Sequence, residues 1–162
     1  MARASLDRID RRILAILAED GRRSYEKIAA QVGLSGPSVY ERIRKLEARG
    51  VIRGFTVQID PAAIGLEMLA FTWLTQAPGT IATDLTADFA QIPEIEECHH
   101  IAGEADYILK IRARDPRDLE RVLRRIQTVR HVFTTETSVV FSSAFEQRTM
   151  TGVEQGEGPD TT

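Results

Sequence analysis

Three sets of residues in this chain have types and spacings suited to chemistry, and the richest is a run of hydroxyls and cations between Ser35 and Arg49. Ser38, Arg42, Lys45 and Arg49 recur at intervals of four, three and four, which places them along one side of a helix with Arg44 on its flank. Guanidinium and ammonium groups arrayed in this way neutralise phosphates, and arginine also bridges the two acceptors on the edge of guanine. Ser35 and Ser38 stand where the helix would start, a place where hydroxyls and unpaired N–H groups hold phosphate. Arg42 and Arg44 are thus expected to meet bases or phosphates, and the two serines phosphates.

The second set is Gly103-Glu104-Ala105-Asp106-Tyr107. Backbone amides near Gly103 would donate to a carboxylate, and Asp106 would hold an ammonium group, which together are what an amino acid requires. His100 and Ile101 approach from the preceding segment, and Val139-Val140 would supply an apolar wall. A plain hairpin turn is the alternative reading of the same five residues.

The third set, Cys98-His99-His100, suggests a metal ion or a nucleophile at first sight. On a strand, Cys98 and His100 share one face and His99 takes the other, so at most two could meet one ion. The other histidine, His131, is distant in sequence, and zinc normally takes three or four protein ligands. No metal and no cofactor are expected. Glu94, Glu96 and Glu97 read as a solvated strand edge, and there is no glycine-rich phosphate loop. An enzyme is not favoured.

The elements that must position these groups follow from hydrophobic periodicity. Asp7 is placed to cap a first helix with Ile9, Ile13, Ile16 and Leu17 on its buried stripe, to which Leu6 adds, and with Gly21 as its close. Ile28, Ala29 and Val32 form the stripe of a second helix, and Gly33-Leu34 the turn. Ser35 caps a third helix with Gly36 and Pro37 in its first turn, Val39, Ile43 and Leu46 facing inward, and Gly50 as its stop. Two short helices joined by a tight turn, the second with a basic outer face, form a helix-turn-helix whose second helix lies in the DNA major groove.

Phe55, Val57 and Ile59 alternate as in an extended strand before Pro61, the expected hinge. Leu66 to Thr75 reads as a strand covered on both faces, and Ile81, Leu85 and Phe89 repeat at helical spacing. Strands are expected over Glu94–Ile101 and Tyr107–Ala113. A helix capped by Asp115 with core positions Leu119, Val122, Leu123 and Ile126 follows, and then a strand over Val132–Phe141. The order β-α-β-β-α-β is ferredoxin-like, with both helices on one face of the sheet. The fold class is α+β. The expected organisation is a helix-turn-helix (winged-helix-like) domain at 1–53, a hinge at 54–64, a ferredoxin-like domain at 65–145 and a disordered tail at 146–162. With no third layer in the chain, the second sheet face calls for another copy, a homodimer built sheet to sheet.

Composition sharpens this. Residues 1–53 hold twelve Lys and Arg against seven Asp and Glu, a net of +5, whereas the remainder carries −8 within an overall net of −3. A basic head on an acidic body fits double-stranded DNA as a partner, and +5 is modest enough that a paired head is expected to be needed. A single cysteine, no apolar run of membrane length and no secretory signal lead to the expectation of a cytoplasmic protein with no membrane partner.

Five markers in order give the chain a family likeness: LDRIDRRIL near the start, the GLS…V..RI.KLE..GVI unit, GFTVQIDPAAIG, ECHHIAGEADYILKI and the closing T…T.VVF. From about Leu6 to Phe141 it resembles the leucine-responsive regulatory protein/AsnC family of feast/famine transcription regulators. The resemblance implies a DNA-binding head, a hinge strand and a ferredoxin-like effector and assembly domain. It also implies dimers that assemble further, often to octamers, and small effectors, commonly amino acids, bound near dimer–dimer contacts. Carried over, the recognition-helix candidates are Ser35, Ser38, Val39, Arg42, Arg44 and Lys45. The effector candidates are His100, Ile101, Gly103, Asp106, Val139 and Val140, with Thr135 and Thr137 added. Tetrapyrrole-modifying relatives of this fold carry a His-Asn-Tyr-Arg block in the second strand, where this chain reads ECHHIAG. An amino-acid sensor without DNA binding is the other alternative, and it conflicts with the basic head.

Overall fold

A computed structural model describes residues 6–77 and 84–146, and the chain divides into two compact units. Among the described residues, one comprises 6–57 with 145–146 and the other 58–77 with 84–144, so the division falls inside the expected hinge.

The first unit is three helices: α1 (Arg8–Glu19), α2 (Tyr25–Val32) and α3 (Gly36–Ala48). Each starts on a side-chain cap. Asp7 and Asp10 form a reciprocal capping box on α1, with the Asp10 N–H donating to Asp7 Oδ1 at 2.7 Å. Ser24 caps α2 and Ser35 caps α3, each accepting from a backbone N–H three residues on. Gly33 ends α2 in the left-handed region at φ 70°, the conformation that lets the chain reverse into α3 within three residues. The α1 terminus differs from expectation. Asp20, in extended backbone, is the C-cap, and Gly21 only follows it in the turn. Ile13, Ile16, Ile28, Ala29, Val39 and Ile43 interlock as the core, as the 3.6-residue period requires. At about 1.5–3 kcal/mol per fully buried large aliphatic chain, this cluster is what holds three short helices together.

The expected hinge strand does not form. Residues 53–60 carry no helix or strand, and Phe55, Val57 and Ile59 are 54%, 74% and 54% exposed. A strand needs a ladder partner, and the described residues of one chain offer none here. For the same reason, no wing strand follows α3 among the described residues.

The second unit is a four-stranded antiparallel sheet of β1 (Met68–Gln76), β2 (Ile95–His100), β3 (Tyr107–Ala113) and β4 (Val132–Val140) in the order β2-β3-β1-β4. The helical turn α4 (Thr86–Phe89) and the helix α5 (Pro116–Gln127, capped by Asp115) pack on one face, the ferredoxin-like arrangement. Leu85 and Phe89 are fully buried there as their spacing implied, and Ile81 lies outside the described residues. The expected tail also lies outside them from residue 147 onward.

Ala70, Leu74, Tyr107, Leu109, Ile111, Leu119, Val122 and Ile126 build the core between the sheet and helices. The other sheet face carries Leu69, Phe71 and Trp73 of β1 beside Arg112, Lys110 and Ile108 of β3, as the register fixes. Alternation on β3 is therefore only half apolar. Lys110 and Arg112 are 6% and 7% exposed because Glu96 pairs with both, at 3.1 Å each, and Glu97 reaches Lys110 at 3.4 Å. Glu94 likewise pairs with Arg121 and Arg125. The acidic run is thus ion-paired across elements, not the solvated edge expected of it.

Candidate DNA-binding and effector sites

Helical geometry and the caps determine what α3 presents. Ser35 Oγ accepts from the Ser38 N–H at 3.4 Å and lies 2.8 Å from Ser38 Oγ, so both hydroxyls cluster over the first turn. Val39, expected among the contacts, is fully buried between the helices. It holds α3 in place and has no path to a base edge, which corrects its assignment.

Arg42 also departs from expectation. Its Nη1 donates to Asp7 Oδ2 at 2.6 Å and to Asp10 Oδ1 at 2.7 Å, which ties the middle of α3 to the N-terminus of α1. The Asp10 N–H at the cap and the Arg42 guanidinium hold the Asp7 carboxyl below the usual range, and the two carboxylates raise Arg42 in turn. Arg42 therefore acts as a clamp between α1 and α3. Arg44 and Lys45 are exposed and form no ion pair among the described residues, so their charge is available to an external anion. Tyr40, on the opposite flank, packs tilted against Tyr25 with centroids 5.6 Å apart.

In the second unit, the loop before β3 is fastened through Asp106. Its Oδ2 accepts the Gln76 N–H at 2.6 Å, its N–H donates to the Leu74 carbonyl at 2.9 Å, and its carbonyl accepts the Ile101 N–H at 2.8 Å. Ile101 and Asp106 are thereby brought together at the end of β1, with Gly103 exposed between them and open space where a side chain would project. His100 stacks on the Tyr107 ring at 4.8 Å, and the Tyr107 hydroxyl accepts the Leu85 N–H at 3.3 Å. Cys98 packs toward the core while His99 meets Glu97 on the other face at 3.1 Å, the alternation expected. Burial raises the Cys98 thiol, which keeps it in its unreactive form. Among the described residues no group of three or more His, Cys, Asp or Glu could hold a metal ion.

The remaining effector candidates are not gathered with Asp106. Thr135 lies opposite Leu74 and accepts from Gln127 Nε2 at 3.1 Å, and Thr137 shares a hydroxyl contact with Thr72 at 3.0 Å. Val139 and Val140 pair with Ala70 and Leu69, four and five positions along β1 from Leu74, about 13–17 Å away. They also point to opposite faces. One chain therefore cannot close the expected wall over the Asp106 loop, because the antiparallel register carries the end of β4 to the far end of the sheet.

Comparison with known proteins accounts for both units. Residues 6–47 match the AsnC-type helix-turn-helix domain, and residues 69–150 match the Lrp/AsnC ligand binding domain. The chain belongs to the Lrp/AsnC family. It is 38% identical over 136 residues to the HTH-type transcriptional regulator LrpA of Mycobacterium tuberculosis, covering 84% of this chain and 91% of that protein. It is 36% identical to the regulator FL11 of Pyrococcus horikoshii, covering 87% and 93%. Its fold is similar to that of a feast or famine regulatory protein from M. tuberculosis complexed with L-methionine. The TM-score is 0.86 at 35% identity, over 91% of this chain and all of that one. This Lrp/AsnC chain is accordingly a DNA-binding transcription regulator and not an enzyme. No helix among its described residues is long and apolar enough to cross a membrane.

Proposed function

We propose that this regulator binds duplex DNA as a homodimer or higher assembly through paired heads, and that a small amino acid held at the Asp106 loop modulates that binding. The observation that carries the reading is the placement of Asp106. One carboxylate oxygen is taken by the Gln76 N–H, and Oδ1 has no partner among the described residues. An ammonium group placed there gains a charge-assisted hydrogen bond, and backbone N–H groups of the 102–105 loop are the proposed donors to the carboxylate. The related regulator complexed with L-methionine supports an amino acid as the class of ligand.

Within one chain neither Val139 nor Val140 stands by the Asp106 loop, and one of the two supplied by a neighbouring copy would complete the wall, so a ligand there would bridge chains and favour one assembly over another. The half-exposed Phe71, Trp73 and Ile108, beside the buried Leu69, make the open sheet face suited to a second copy, and assembly to an octamer is the family's expectation. On the head, Ser35, Ser38, Arg44 and Lys45 are the proposed DNA contacts, Arg42 acting through α1.

A thermal-shift screen of the full chain against all twenty amino acids tests the ligand. At least one should raise the melting temperature of the wild type and leave Asp106→Asn unmoved. No response to any of them would contradict the proposal.

A further inference from the structure

We propose that Glu41, a residue outside the expected contact set, reads a base in the major groove, accepting from the exocyclic amino group of cytosine. The inference rests on α3 being the element that enters the groove.

Glu41 lies about 160° around the helix from the buried Val39, at the outermost line of α3, with Arg44 and Lys45 within about 60° of it. It shares a shallow groove along α3 with Pro37, Ser38 and Lys45. It is exposed and has no hydrogen bond or ion pair among the described residues. That is unusual for its surroundings. Lys45 stands four residues on, the favoured spacing and direction for a helical Glu–Lys pair, and Arg44 three residues on. The same spacing does close on α5, where Arg124 meets Glu120 at 2.6 Å.

A carboxylate at the centre of a DNA-facing surface is repelled by phosphate, so the site weakens binding unless the carboxylate finds a donor. The floor of the major groove supplies one, since acidic side chains pair with cytosine N4. Glu41 is also in the N-terminal half of α3, the part of a recognition helix that reaches base edges. Arg44, one turn on and on the same side, is placed for the guanine acceptors or for a phosphate. An acid and a base side by side at the outer line of α3 would read a G·C-containing step that neither reads alone.

The test is selection of the full chain against a randomised duplex library, using wild type, Glu41→Gln, Glu41→Ala and Arg44→Ala. All four should melt alike, since neither side chain is buried or paired. Wild type should select a half-site in which one cytosine is preferred at least about fivefold over other bases. Glu41→Ala should flatten that position to under about twofold and leave the others intact. Glu41→Gln should move the preference toward adenine, which an amide reads through N6 and N7. If both Glu41 variants bind every sequence more tightly with unchanged base preferences, Glu41 only repels phosphate and the proposal is overturned. If Arg44→Ala changes preferences and the Glu41 variants do not, this inference alone fails. If none of the three changes any preference, α3 does not read bases and the underlying reading fails with it.

Discussion

The Arg42 guanidinium lies 2.7 Å from the Asp10 carboxylate, so a cation expected to face DNA instead joins the third helix of the head to the first. Asp10 is nearly buried, and Asp7 closes the other side at 2.6 Å. Asp7 and Asp10 are already counted in the head's net charge of +5, so their pairing with Arg42 leaves that net unchanged and hands contact with phosphate to the other cations.

This makes Arg42 and Arg44 separable. Arg42→Ala leaves the Asp10 carboxylate without its partner and should destabilise the head by about 1–3 kcal/mol, measured by denaturant unfolding. Arg42→Lys should not restore it fully, since one ammonium cannot reproduce the planar donor set that spans two carboxylates. Arg44→Ala should leave unfolding unchanged and lower DNA affinity. Equal unfolding midpoints for Arg42→Ala and wild type would refute the clamp.

Acid should act on both units through paired carboxylates. Asp118 accepts the Arg114 side chain and N–H and the Arg121 guanidinium, which hold it well below the usual carboxylate range, and Asp7 is lowered by the Asp10 N–H and Arg42. A carboxyl whose pKa is lower folded than unfolded adds stability that is complete above the unfolded value of about 4, and that is lost as pH falls through the folded value. Stability should thus be flat near neutrality and decline below about pH 4. Asp118→Asn should shrink that decline, and an unchanged acid limb in the variant would count against the assignment.

The loop carboxylate has two functions that conservative and drastic variants separate. Asp106→Asn keeps an oxygen for the Gln76 N–H and removes the charge, so it should fold normally and lose effector response in the thermal-shift screen. Asp106→Ala also removes the hydrogen bond from that N–H and should cost about 1 kcal/mol of stability. A full effector response in Asp106→Asn would remove the ammonium contact from the account.

Placing a charge on the open sheet face tests assembly. Trp73→Glu puts a carboxylate among Phe71, Leu69 and Ile108 and should shift the protein from dimer or larger to monomer in sedimentation velocity. DNA affinity should weaken in parallel, since paired heads would be lost. A wild type that sediments as an 18.1 kDa monomer at micromolar concentration would end the homodimer proposal.

Local patterns carried most of the fold. Ser35 with Gly36-Pro37 announced α3, Asp115 with Pro116 announced α5, and the alternation Tyr107, Leu109, Ile111 announced β3, because caps and periods are properties of neighbouring residues. What stayed hidden depends on partners far along the chain. Arg42 finds Asp7 and Asp10 35 and 32 residues away, and periodicity states a face without naming the groups opposite it. Family likeness puts Val39 among the contacts, whereas its own i, i+4, i+7 stripe with Ile43 and Leu46 places it inside. Val139 and Val140 looked adjacent to Asp106 only until the register of β1 with β4 sent them to the other end of the sheet. The 54–60 segment has the alternation of a strand, but no partner for one within the described residues.

Regulation requires that the second unit tune the heads. Its most direct test is a binding titration of the full chain against its selected duplex, with and without the amino acid that most raises its melting temperature. Wild type should show a shift in apparent Kd of at least about fivefold, within the range of ordinary coupling energies, and Asp106→Asn none. Superimposable wild-type curves with and without the bound amino acid would contradict it.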